Sequence, residues 1–132
     1  MKVTRFEELE IWKEARELYK LVFQITSEKP FCNDFRFRDQ IRASSGSVSD
    51  NIAEGFDRGG NKEFIQFLSI SKGSCGEVRN QSYRAFDSSY ITKEELDELL
   101  NRTDSISRKI TNLVKYLNSS NLKGPKYDTP KP

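Results

Sequence analysis

Five carboxylates stand between positions 50 and 77 of this 132-residue chain: Asp50, Glu54, Asp57, Glu63 and Glu77. Carboxylates aimed into the core of a helical protein can hold a hard cation such as Mg²⁺ or Ca²⁺. The di-iron and di-manganese form of such a site draws on Glu-x-x-His pairs, and the chain contains no histidine. The same gap removes the commonest general base and rules out Ser-His or Cys-His activation of a nucleophile within the chain. Solvated charges, or charges paired with Arg42, Arg58 and Arg79, are the simpler reading of the five acids. The sequence therefore predicts no catalytic residue, no metal and no cofactor.

Other candidates are weaker still. Gly55-x-x-x-Gly59-Gly60 is glycine-rich. No strand pattern precedes it and no Gly-Lys-Ser/Thr follows, so it reads as a helix terminator and not as a phosphate loop. Cys75 sits on an apolar stripe with nothing adjacent in sequence to lower its pKa, which describes a small core residue. Arg36, Arg38 and Arg42 form a local basic run that can meet phosphates, and Trp12, Phe23, Tyr83, Tyr90 and Tyr116 offer rings on which bases stack. At helical spacing most such rings belong to a core.

The elements that must position these residues are helices. Leu9, Trp12, Ala15, Tyr19, Val22 and Thr26 recur at spacings of three and four and predict a first helix from about Phe6 to Ser27, ended before Lys29-Pro30. A second is expected from about Asn33 to Phe56, capped by Asn33 or Asp34, with Phe37, Ile41, Val48 and Ile52 inward. Its middle, ASSGSVS, has poor helix propensity and needs close packing to hold it. A third runs from Asn61 to about Ser88 on Phe64, Phe67, Leu68, Ser71, Cys75, Val78, Ser82 and Ala85, and its small residues Gly73 to Gly76 are expected to face that waist. Thr92-Lys-Glu-Glu95 is a capping box opening a fourth helix, whose stripe is Leu96, Leu99, Thr103, Ile106, Ile110, Leu113 and Leu117. Short linkers favour antiparallel neighbours. The expectation is an all-α fold, an antiparallel up-down-up-down four-helix bundle over residues 1–118, with a flexible tail over 119–132.

Composition sets the remaining bounds. Hydrophobic residues are 35% and charged residues 32%, which is polar for one domain, and the net charge is +2. The tail, with Lys123, Lys126 and Lys131 against Asp128, accounts for that surplus, so the helical part lacks the basic excess of a dedicated nucleic-acid binder. Two cysteines make no disulfide framework, no secretory signal opens the chain, and no run of about 18 apolar residues spans a membrane. The cytoplasm is the expected compartment. Phe23, Phe35 and Phe56 fall beside the main stripes, which predicts a second buried face and hence a partner helix or subunit.

Gln40-Ile41-Arg42, Ser47-Val48, Asn51-Ile52-Ala53-Glu54-Gly55 and Arg58, followed by Lys62-Glu63-Phe64, Phe67-Leu68, Gly73-Ser74, Glu77 and Gln81, resemble the signature of a four-helix-bundle family. It is named after the intervening sequence of large-subunit ribosomal RNA genes. Phe6, Leu9, Trp12, Ala15 and Leu18 fit its first helix, so the likeness spans about Phe6 to Leu117. The resemblance implies an up-down-up-down bundle that assembles as a ring-like homopentamer, and implies no settled biochemical role. A distantly similar bundle, the accessory protein of diversity-generating retroelements, binds a reverse transcriptase and nucleic acid and is markedly basic. This chain departs from the pattern at Ala43, where a second Arg is frequent, and at Ser49, where Pro is frequent. Asn51, Glu54 and Arg58 share one helix face, and Glu54 with Arg58 is a favourable i,i+4 pair. Gln40, Arg42, Asn51, Glu54, Gly55, Arg58 and Glu77 are thus expected to fix register between helices or subunits. The leading expectation is a non-enzymatic homo-oligomeric scaffold or adaptor; the alternative is an RNA-binding accessory protein contacting RNA through Arg36, Arg38 and Arg42 and the basic tail.

Overall fold

The structure, a computed structural model, describes residues 2–120; the C-terminal segment 121–132, most of the tail expected from sequence, lies outside them. Among the described residues every regular element is helical. A 3₁₀ turn, Phe6–Glu8, precedes α1 (Glu10–Thr26); a second, Phe31–Asn33, precedes α2 (Phe35–Asp57); α3 (Asn61–Asp87) and α4 (Lys93–Ser119) follow.

The local chemistry sets these limits. Helix α1 does not begin at Phe6, because Leu9 adopts extended backbone (φ −73°, ψ 130°) between the 3₁₀ turn and Glu10. Asp34 is the cap of α2, its Oδ1 accepting from the Phe37 amide at 3.2 Å. Thr92 and Glu95 exchange the two bonds of the predicted capping box at 3.1 and 2.8 Å. Gly59, at φ +90°, makes the turn into α3 in the left-handed region that glycine enters without strain.

Cross-helix bonds show the antiparallel order. From α1 to α2, Thr26 meets Arg42 while the earlier Tyr19 lies beside the later Gly46. From α2 to α3, Gln40, Ser47 and Val48 meet Arg84, Ser74 and Ser71 in turn. From α3 to α4, Asn61, Lys72 and Arg79 meet Leu117, Thr111 and Leu100. Glu14 of α1 closes the ring by accepting from Ser105 and Lys109 of α4. Each helix packs on its two neighbours, most extensively α2 on α3 and least α1 on α4.

The core follows the predicted stripes of α2, α3 and α4 closely, except that Phe67 is only half-buried, and two further expectations are corrected. On α1 the buried series is Ile11, Ala15, Leu18, Val22, Ile25 and Thr26, so Ala15, Val22 and Thr26 of the expected stripe are inside while Tyr19 is exposed. Phe56, read from sequence as part of a second face, is fully buried within the protomer and packs edge-on against Phe64 at 5.7 Å. Small side chains bring α2 and α3 together as expected: Ser71 Oγ donates to the Val48 carbonyl at 2.7 Å, and Ser74 Oγ to Ser47 Oγ at 3.0 Å. Gly73 and Gly76 take no part in this waist, because both are exposed on the far side of α3.

Candidate functional site

The family-signature residues divide into a seam between helices and an exposed surface. Arg42 is the clearest seam residue. It projects from α2 across the end of α1, where Nε donates to Thr26 Oγ1 at 2.7 Å and Nη2 to Ser27 Oγ at 3.1 Å. Its guanidinium carbon stands 4.2 Å from the centroid of the Phe23 ring. A cation at a helix C-terminus also meets the negative end of the helix dipole. Thr26, fully buried, returns its own proton to the Val22 carbonyl at 2.7 Å. Arg42 therefore fastens α1 to α2 through two of its donors.

Asn51 is half-buried and donates to the carbonyl and the hydroxyl of Ser47 at 2.8 and 2.9 Å. Since Ser74 also donates to Ser47, the three form a polar bridge from α2 to α3. Asn51 does not join Glu54 and Arg58, which make a surface ion pair at 2.8 Å with Arg58 lying over the Phe67 ring at 5.2 Å. Gln40 accepts from Arg84 at 3.4 Å. Gly55 is an approach point: a Cβ built there would lie 2.5 Å from Phe67 Cβ. Glu77 is exposed and makes no hydrogen bond or ion pair among the described residues.

The basic run is uneven. Arg38 donates to Asp39 at 2.9 Å and to the Cys32 carbonyl at 3.4 Å, and lies over the Phe35 ring at 5.0 Å. Arg36 is exposed and its donors bond no other group among the described residues. Arginines thus lie against aromatic rings along the α1/α2 side, Arg16 on Trp12, Arg42 on Phe23 and Arg38 on Phe35. Phe23 stays 48% exposed and Phe35 63%. This arginine–aromatic surface is the candidate site.

The groups weighed for catalysis lie elsewhere. Asp50, Glu54, Asp57, Glu63 and Glu77 are all exposed, and no three metal-ligating side chains converge among the described residues. Burial pushes the Cys75 thiol up to about 12, so it is protonated at neutral pH and inert as a nucleophile. Tyr90, expected to be a surface or core ring, donates to Asp34 Oδ2 at 2.8 Å, and that bond raises its pKa.

Thr26, Ser27 and Tyr19 are the site residues that sequence reasoning missed. The first two bond a side chain 16 and 15 positions away, beyond the reach of any local pattern. No helix among the described residues is long and apolar enough to cross a membrane.

No curated protein matches the chain. Among solved structures, a protein of unknown function from the S23 ribosomal protein family of Bacteroides thetaiotaomicron is similar, with a TM-score of 0.73 and 19% identity over 80% of this chain and 98% of that one. At that identity the likeness is one of fold. The profile described as 23S rRNA-intervening sequence protein matches residues 7–112. Since that match covers most of the four helices, the chain belongs to the 23S rRNA-intervening sequence protein family.

Proposed function

We propose that this protein is a non-enzymatic, homo-oligomeric scaffold or adaptor that works in the cytoplasm through protein contacts. The observation that carries this is the α1/α2 surface, where Tyr19, Phe23 and Phe35 remain exposed although the bundle has its own filled core. Rings left in water lose the stabilisation of burial, and a protein face that covers them restores it. A ring of five is the assembly that the family resemblance implies. Affinity capture of the intact protein from its native cell, with and without nuclease, tests the adaptor role. Protein partners retained after nuclease are expected; loss of all partners with nuclease would contradict it.

The alternative, an RNA-binding accessory protein, is supported by Arg36, exposed and without a side-chain partner among the described residues, beside the exposed Phe35. Arg42 weakens it, because two of its donors already serve Thr26 and Ser27 and hold the guanidinium against α1. Phosphate contacts make binding fall steeply with salt. RNA binding at physiological salt that disappears in Arg36→Ala/Arg38→Ala would favour this alternative.

A further inference from the structure

We draw no further inference here: the strongest candidate, the cleft between α1 and α4 whose walls include Leu21, Ile25, Glu28, Glu95, Glu98 and Arg102, is an open cluster of carboxylates and paired charges, and nothing in the structure shows what covers it.

Discussion

Gly55→Ala isolates the tightest approach at any of the described glycines. The added Cβ would lie 2.5 Å from Phe67 Cβ and 3.2 Å from Phe64 Cδ1 and Phe67 Cγ. Carbon atoms pack at about 3.5–4.0 Å, so the shortfall against Phe67 Cβ is about 1 Å. Phe67 Cβ is fixed to the α3 backbone and cannot rotate away, and Phe64 is fully buried against Phe56. The α2 and α3 backbones must separate. Overpacking of this kind costs about 1–3 kcal/mol, and a backbone clash belongs at the upper end. Alanine returns about 1 kcal/mol through better helix propensity, which leaves a net loss of about 2 kcal/mol. Urea denaturation followed by circular dichroism, at one fixed chain concentration, should show a lower midpoint with an unchanged slope. Thermal melting should fall by about 4–10 °C on the scaling for domains near this size. A neutral or stabilising Gly55→Ala would refute the claim that this glycine is present for helix contact.

Other substitutions probe the remaining contacts. Arg42→Ala removes two charge-assisted bonds and the stack on Phe23, and should cost about 1–2 kcal/mol at this half-buried position; Arg42→Lys, without the planar fork, should recover less than half in the same denaturation assay. Cys75 should resist iodoacetamide in the native protein at pH 8 while the less buried Cys32 reacts, as read by mass spectrometry of the digested chain. The folded Cys75 pKa of about 12 lies above its value in the unfolded chain, so the unfolded state sheds that proton first. Stability should thus fall as pH rises above about 9, by about 1.4 kcal/mol per pH unit from this one group. Tyr90 adds in the same direction at higher pH, and Cys75→Ala should flatten the slope between about pH 9 and 10. Asn61→Ala breaks the bonds from Nδ2 to the Leu117 and Ser120 carbonyls, at 3.2 and 3.3 Å, and should speed amide exchange selectively in the last turns of α4.

The number, order and type of the helices were legible because apolar spacing and caps agreed. Thr92 to Glu95 carries both halves of its box in four consecutive residues, and the α4 stripe has a single period. The α1 pattern misleads by one step, since Leu18 and Tyr19 are both apolar enough to fill the same turn. Burial went to the aliphatic side chain, while the ring of Tyr19 turned towards Gly46 and Phe23. Phe56 was misread for a different reason: its partner Phe64 follows a tight turn, and only the α2–α3 corner brings the two together. Gly55 reads as a terminator in sequence, yet α2 runs on to Asp57 and Gly59 makes the turn. The Gly73 to Gly76 stretch illustrates the limit of composition, because small residues allow a close approach without saying on which side of a helix it occurs. The cross-links from Arg42 to Thr26 and Ser27, and from Arg79 to the Leu100 carbonyl and Thr103, depend on tertiary placement and leave no local signature.

The central claim is that the exposed aromatic face is covered by another copy of this chain. The most direct measurement is the mass of the purified, nuclease-treated protein by light scattering after size exclusion, at micromolar concentration and physiological salt. The predicted result is a homogeneous species at about five times the 15.3 kDa chain mass. A single species at 15.3 kDa, unchanged on concentrating the sample, would contradict it.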